Sequence, residues 1–143
     1  MRQGKAWVAC LVLTALFQAG CGAMQSMGGT DILTGLLTNQ LGVTTNQAMG
    51  GVGSILSLAK ERLSSMDFTT LTKLIPGADT YMNTAKDLGA VTGPIKDRAG
   101  LTSAFSRLGM GSDMVPKFTQ ILSDFVGKAG GQPAGNLVMQ AVQ

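Results

Sequence analysis

Apolar residues recur along most of this chain at intervals of three and four positions, the spacing that places them on one face of a helix. No segment alternates between apolar and polar residues with a period of two, so no strand is predicted. The pattern therefore predicts an all-α fold, a single small bundle of six or seven short helices. The predicted helices lie close to residues 31–41, 45–63, 67–75, 78–88, 101–108, 114–129 and 133–142.

Capping residues, glycines and prolines set the expected boundaries of these helices. The expected N-terminal caps are Thr44 or Thr45, Asp67 and Asp113. The segment 90–100 is rich in glycine and contains a proline, so it is predicted to be a connection that holds one helical turn around Ile95.

The second predicted helix combines an apolar stripe with three glycines. The stripe covers about one third of the helical wheel and is expected to face the core; its members are Ala48, Val52, Ile55, Leu56, Ala59 and Leu63. Gly50, Gly51 and Gly53 each cost about 1 kcal/mol relative to alanine in a helix. A phosphate-binding loop would need a preceding strand and a glycine at position 56. The glycines are therefore interpreted as helix-packing residues that let a neighbouring helix come close.

Part of the helical pattern occurs twice. The first copy is Leu37-x-x-x-Leu41-Gly42-Val43 followed by Ile55-Leu56-Ser57, and the second is Ala104-x-x-x-Leu108-Gly109-Met110 followed by Ile121-Leu122-Ser123. Two explanations remain open: a duplicated helical hairpin, or independent use of the same helix start and stop signals.

The first twenty residues follow a different pattern, which is typical of an export signal. Arg2 and Lys5 give a basic start, an apolar run covers 6–17, and the segment ends in Gln18-Ala19-Gly20-Cys21. Twelve apolar residues span only about 18 Å as a helix, too little for a bilayer core of about 30 Å. The expected organisation is a signal peptide at 1–20, a flexible tether at 21–30 and a helical domain at 31–143.

Two processing routes fit this segment. Small residues followed by Cys21 resemble the lipobox of bacterial lipoproteins, in which the cysteine is acylated, for example with palmitate, and becomes the first residue. Gln18 departs from that motif, because an aliphatic residue usually stands there. Cleavage after Ala23 also fits, and it would give a soluble periplasmic or secreted protein. With acylation, Gly22 favours the periplasmic face of the outer membrane, by resemblance to enterobacterial lipoproteins.

The charge and the cysteine content limit which partners and which covalent bonds are expected. Without Arg2 and Lys5, nine basic residues stand against eight acidic ones, a net charge of +1. The basic residues are scattered from Lys60 to Lys128, so no nucleic-acid partner is expected. Cys10 lies within the signal, which leaves Cys21 as the only cysteine that persists and excludes an intramolecular disulfide.

The chain offers little material for catalysis. It has no histidine, so histidine-based nucleophile activation and the usual zinc sites are not expected, and no catalytic residue, metal or cofactor is predicted. Ser57-x-x-Lys60 matches one element of penicillin-binding enzymes, but the accompanying Ser-Asp-Asn and Lys-Thr-Gly elements are absent from the sequence. Methionine pairs at Met24-x-x-Met27 and Met110-x-x-x-Met114 offer thioethers for Cu(I), although gap filling in a helical core is the favoured role. The residues expected on solvated faces or a partner surface are Lys60, Glu61, Arg62, Tyr81, Lys86 and Asp87.

Several spaced motifs resemble a known family. They are Leu41-Gly42-Val43, Gln47-Ala48-x-Gly50-Gly51-x-Gly53, Ala59-Lys60, the segment from Phe68 to Pro76-Gly77-Ala78, and Leu108-Gly109-Met110 with Val115 and Phe118. Over residues 31–126 they resemble the bacterial VcgC/VcgE family of unknown function and, more distantly, the YidB-like helical proteins. The resemblance implies a small, exported, helical protein without an assigned reaction.

Two functions are carried forward from the sequence. The first is a non-enzymatic interaction protein, tethered to the membrane through Cys21 and bound to a protein partner of unknown identity. The alternative is a helical binding module for an apolar small molecule or lipid. An internal pocket of several hundred Å³ would favour the binding module over a solid core.

Overall fold

The computed structural model describes residues 29–143, with side chains from residue 32 onward. Over that range the chain forms seven helices and no strand, which confirms the all-α prediction. The helices are α1 (Gly29–Leu41), α2 (Thr45–Arg62), α3 (Ser65–Leu74), α4 (Ala78–Asp87), α5 (Arg98–Arg107), α6 (Met114–Gly130) and α7 (Gln132–Val142). Helix α1 begins two residues earlier than expected, and the predicted signal and most of the predicted tether lie outside the described residues.

Helix α2 begins with a complete capping box. The Thr44 hydroxyl accepts a hydrogen bond from the backbone N–H of Gln47 at 3.2 Å, and the Gln47 side-chain oxygen accepts one from the backbone N–H of Thr44 at 3.0 Å. Each bond satisfies a donor that has no partner inside the helix. The cap is therefore Thr44, one of the two threonines that the sequence offered.

Two other predicted caps are wrong in detail. Helix α3 is capped by Ser64, whose hydroxyl accepts a hydrogen bond from the Asp67 backbone N–H, so Asp67 lies within the first turn instead of opening the helix. Asp113 does precede α6, but its backbone is already helical, with φ −67° and ψ −19°, and its carboxylate makes no cap hydrogen bond. The carboxylate instead accepts a hydrogen bond from the Lys117 ammonium at 3.0 Å.

The connection between α4 and α5 covers residues 88–97. It contains no helical turn around Ile95, contrary to expectation, and the Ile95 side chain is buried. Asp97 caps α5, since its carboxylate accepts the Gly100 N–H at 2.7 Å. Helix α5 therefore begins at Arg98, three residues earlier than the apolar pattern indicated.

Helix α2 lies at the centre of the bundle. All residues from 50 to 56 are buried, so the helix is covered on every side over that stretch. The predicted apolar stripe is buried except for Leu63, which is half-buried, and the side of α2 that carries the predicted packing glycines is buried too. Fully buried side chains from the surrounding helices complete the core: Leu33 and Leu37 of α1, Tyr81 and Ala85 of α4, Leu101 and Phe105 of α5, Phe118 and Leu122 of α6, and Val138 of α7.

The two copies of the internal pattern fold in the same order. In each, a short helix ends at a glycine with positive φ, Gly42 at 66° and Gly109 at 76°, and a longer helix follows. None of the described helices has the length and apolar character needed to cross a membrane.

Candidate functional site

A groove of about 410 Å³ among the described residues opens to solvent. It lies between the C-terminal half of α2, the outer side of α4 and the 88–97 connection. Its lining residues are Ser57, Lys60, Glu61, Met82, Lys86, Val91, Thr92, Gly93 and Pro94. Apolar side chains thus form part of its wall, and three charged side chains surround it.

Gly53 sets the spacing of the two helices that flank the groove. A Cβ at position 53 would overlap the Tyr81 carbonyl oxygen of α4 and would lie 2.8 Å from the Ala85 Cβ. Only a residue without a side chain permits this approach of the two backbones. The groove residues of α2 follow Gly53 within about two turns, and those of α4 follow Tyr81 within about one turn. The contact at Gly53 therefore sets the distance between the two helical walls of the groove.

The other two glycines of α2 face different helices. A Cβ at Gly51 would lie 2.5 Å from the Phe118 ring of α6, and a Cβ at Gly50 would lie 2.7 Å from a methyl group of Leu108, just past α5. Phe118 in turn meets Phe105 edge to face, with ring centroids 5.1 Å apart. The three predicted packing glycines therefore lie at three separate contacts, with α4, α5 and α6.

The connection that forms the third wall is held at several points. The backbone N–H groups of Ala90 and Val91 both donate to the Ala85 carbonyl, at 2.9 and 3.1 Å. The Arg107 guanidinium donates to the Thr92 hydroxyl at 2.9 Å. These bonds tie the connection to α4 on one side and to α5 on the other.

Among residues 32–143, the charged groups of the groove have no ion-pair partner. Lys60, Glu61 and Lys86 are exposed, and the only ion pair among residues 32–143 is Lys117–Asp113. Lys60 and Lys86 stand in the last turns of α2 and α4, where a positive charge is favourable beside the free carbonyl groups. The groove can therefore present two ammonium groups and one carboxylate to a ligand.

Ser57 and Lys60 of the Ser-x-x-Lys element both line this groove. The Ser57 hydroxyl donates to the Gly53 carbonyl at 2.8 Å, so its proton is engaged by the helix backbone. A serine nucleophile needs a base that takes this proton, and the observed bond directs it elsewhere. The geometry suits non-covalent binding.

The expectation that Tyr81 lies on a solvated face or a partner surface is wrong. Its side chain is fully buried, and its hydroxyl lies 3.2 Å from the Thr34 hydroxyl of α1. Tyr81 is three residues from Ala78 and four from Ala85, which are both buried, so it lies on the side of α4 that faces the core. The other five residues expected on solvated faces are exposed: Lys60, Glu61, Arg62, Lys86 and Asp87.

The remaining chemical candidates are scattered. Met110 is buried in the core and Met114 is half-buried, while Cys21, Met24 and Met27 lie outside the described residues. Across the part of the chain with placed side chains, no cluster of three or more histidine, cysteine, aspartate or glutamate residues could hold a metal. On the surface, the hydrogen bond and positive charge of Lys117 lower the pKa of Asp113 below its ordinary value.

The sequence analysis does not identify two further packing glycines, Gly127 and Gly135, or the wall of the groove that the 88–97 connection forms. A Cβ at Gly135 would lie 2.8 Å from the Ser123 carbonyl oxygen and 3.4 Å from Gly127, so α6 and α7 also cross closely. Both glycines stand within apolar helical patterns, which is the signal that could have indicated them. Met82, Val91 and Pro94 could not be assigned to a groove, because they come together only when the connection folds back on α4.

Over residues 29–143 these features define a class: a small all-α domain in which six helices surround a glycine-bearing central helix, with an open groove beside it. The family model described as "Protein of unknown function VcgC/VcgE (DUF2780)" matches residues 14–143, and the chain belongs to this family. The match extends beyond the 31–126 resemblance at both ends and includes Cys21. No curated protein matches the chain, and no solved structure does.

Proposed function

We propose that this protein is an exported bacterial lipoprotein, anchored through acyl chains on Cys21, whose helical domain acts by binding a partner and not by catalysis. The observation that carries the proposal is the order of residues 2–21: basic residues, a short apolar run, and two small residues before a cysteine. Residues 22–28 then separate Cys21 from α1, which is long enough for a tether and too short for another domain.

The packing of the domain supports the proposal that it binds a partner through its surface. The central helix is covered on all sides, and the charged side chains of the groove are exposed. The Ser57 hydroxyl is bonded to its own helix. These properties suit a scaffold that presents side chains to another molecule.

The anchor is tested by the intact mass of the protein purified from membranes. The expected product begins at Cys21 and carries acyl chains. Cys21→Ala should remove the acyl mass and release the protein into the soluble fraction, while the matched Cys10→Ala variant should be processed as normal. A mature chain that begins at Met24 without acyl chains would instead establish the soluble, signal-peptidase route.

The partner is tested by site-specific photocrosslinking in cells. A photoreactive residue in place of Met82 should give a discrete crosslinked product, and one in place of Gln120 on the exposed side of α6 should not. Loss of the Met82 product in the Cys21→Ala background would show that anchoring brings the domain to its partner. Equal products from both positions would contradict a specific surface at the groove.

A second candidate is a binding module for an apolar small molecule or lipid. The groove favours it because Met82, Val91 and Pro94 line the same space as two ammonium groups that form no ion pair among residues 32–143. Laurate, kept below its micelle concentration, is a suitable probe. Saturable NMR shifts at Met82 and Val91, lost in Met82→Gln, are expected from this function. The absence of any shift at millimolar laurate would exclude it.

A further inference from the structure

We propose that the outer edge of α1, formed by Ile32 and Leu36, lies against the lipid surface to which the chain is anchored. This inference rests on the proposed anchor at Cys21 and adds to it a defined orientation of the domain. The two residues are hereafter called the α1 edge.

The α1 edge is apolar and uncovered. The Ile32 side chain is 57% exposed and the Leu36 side chain is 37% exposed. They are four residues apart, so they lie on the same side of the helix, one turn from each other. Their neighbours Leu33 and Leu37 are fully buried and face the core. Helix α1 therefore has one apolar side packed on the bundle and a second apolar side open to its surroundings.

The surroundings of the α1 edge favour an apolar, uncharged contact. The one charged residue of α1, Asp31, lies in its first turn. From Ile32 to Leu41 the helix contains no charged residue, and its exposed polar side chains, Asn39 and Gln40, are neutral. Contact with the headgroup and acyl boundary would therefore remove no charge of α1 from water in this stretch. Leucine and isoleucine are side chains that such a boundary accepts.

The length of chain before α1 identifies the occupant. Only residues 22–28 separate Cys21 from Gly29, so the start of α1 lies within about 29 Å of an anchored cysteine even when the chain is fully extended. A flexible chain of this length has a root-mean-square reach of about 16 Å. Helix α1 is thus the element held nearest to the membrane.

The anchor also raises the effective concentration of lipid at the α1 edge. Free in solution, an edge of two apolar residues binds lipid too weakly to be occupied. A short tether converts the contact into an intramolecular one at an effective concentration in the millimolar range, which makes a weak contact populated. Lipid therefore takes precedence over a second copy of the chain or a protein partner, because lipid lies beside every anchored chain whereas another protein must first diffuse to it.

The test uses tryptophan as a depth probe and compares two matched positions. Leu36 and Leu88 are the same residue type and are 37% and 38% exposed, but Leu88 lies past the end of α4. Trp7, the only tryptophan of the chain, lies in the predicted signal, so each substitution adds the sole indole of the processed protein. Leu36→Trp and Leu88→Trp proteins are purified from membranes and reconstituted into phosphatidylcholine vesicles with brominated acyl chains.

The brominated lipid should quench the indole at position 36 roughly twofold or more, because bromine on an acyl chain quenches only an indole that it contacts. The indole at position 88 should remain unquenched. Equal fluorescence in brominated and ordinary vesicles at position 36 would overturn the proposal. Equal quenching at both positions would overturn it too, since no edge would then be selected. A shift at position 36 that depends on protein concentration and not on lipid would assign the edge to a second copy. Circular dichroism of both variants verifies that each remains folded.

Failure of the anchor and failure of the α1 edge give different results. The intact mass of the same samples reports whether Cys21 is acylated. If it is not, a chain that starts at Cys21 is expressed without the predicted signal, its Cys21 thiol is coupled to a maleimide-bearing lipid, and the quenching measurement is repeated on the tethered chain. Quenching at position 36 then supports the edge although the natural anchor is absent, and no quenching on a chain with either anchor rejects it.

Discussion

The carbonyl oxygen of Tyr81 occupies the space in which a side chain at Gly53 would begin. Helices α2 and α4 meet at this point backbone against backbone, and neither can yield without moving a whole helix. The buried Tyr81 side chain extends from the same residue to Thr34 of α1. One position on α4 therefore fixes two helix contacts, and the groove walls begin next to it.

Gly53→Ala should destabilise the domain more than Gly50→Ala does. The new methyl group at position 53 meets backbone, so the expected loss in the free energy of unfolding is about 1–3 kcal/mol. At position 50 it meets the flexible methyl groups of Leu108, and alanine gains about 1 kcal/mol of helix propensity, so the net change should be small. Urea denaturation measures both.

The larger substitution Gly51→Leu should cost more than about 1 kcal/mol, because the side chain must displace the Phe118 ring. Gly35→Leu is the matched control, since a Cβ at Gly35 meets nothing within 4 Å. An unchanged melting temperature for Gly51→Leu would contradict the role of this glycine in helix packing.

The Gln47 side chain makes two hydrogen bonds, and a pair of substitutions separates their contributions to stability. Its side-chain oxygen completes the capping box of α2, and its side-chain N–H group donates to the Leu108 carbonyl at 3.0 Å. Gln47→Glu keeps the capping acceptor and loses the donor, so it should cost about 1 kcal/mol. Gln47→Ala loses both and should cost about 2 kcal/mol. Asn46→Ala, at the exposed neighbouring position, serves as control, and equal losses for the two Gln47 variants would argue against the bond to Leu108.

The buried pair of hydroxyls should be energetically coupled. Tyr81→Phe and Thr34→Val each remove one side of this contact, and in either single variant the contact is already lost, so the double variant loses it only once. The losses should therefore be less than additive, by about 1 kcal/mol in a double-mutant cycle. Chemical denaturation of the four proteins gives this coupling, and a coupling of zero would show that the 3.2 Å contact contributes nothing.

Arg107 should control the mobility of the connection that lines the groove. Its guanidinium binds the Thr92 hydroxyl, and in Arg107→Ala the amide groups of residues 89–93 should exchange hydrogen several-fold faster. Overall stability should change little, because the bond is exposed. Arg98→Ala, in the first turn of the same helix, should leave that exchange unchanged. Identical exchange in the wild type and Arg107→Ala would show that the backbone bonds to Ala85 hold the connection unaided.

The surface pair of Asp113 and Lys117 should give a small stability difference that depends on pH. The pKa of Asp113 is lowered in the folded protein, so its contribution is present above the unfolded value of about 3.9 and is lost as the pH falls through the folded value. Asp113→Asn should therefore be less stable than the wild type at pH 7, and the difference should shrink as the pH falls through the folded pKa of Asp113. Because the pair is exposed, 1 M salt should reduce the difference at pH 7. A difference that does not shrink on acidification would point to another cause.

The order and approximate extent of the helices could be predicted from the sequence, because each is encoded by contacts between residues three and four positions apart and by local stop signals. Gly42 and Gly89 both end helices with positive φ, as their positions after an apolar run indicate. The caps at Ser64 and Asp97 were missed because several polar residues near each start satisfy the same rule. Backbone geometry then decides which one bonds.

The tertiary structure alone decided what covers each helix. Periodicity identifies an apolar stripe on α2, but it carries no information on whether a glycine face looks to solvent or to another helix. The contacts of Gly53 with Tyr81 and of Gln47 with Leu108 join residues far apart in the chain. The groove likewise exists only because the 88–97 connection folds back over α4. The preference of a segment for a helix is determined by residues close together in the chain, whereas packing depends on surfaces that meet only after the chain has folded.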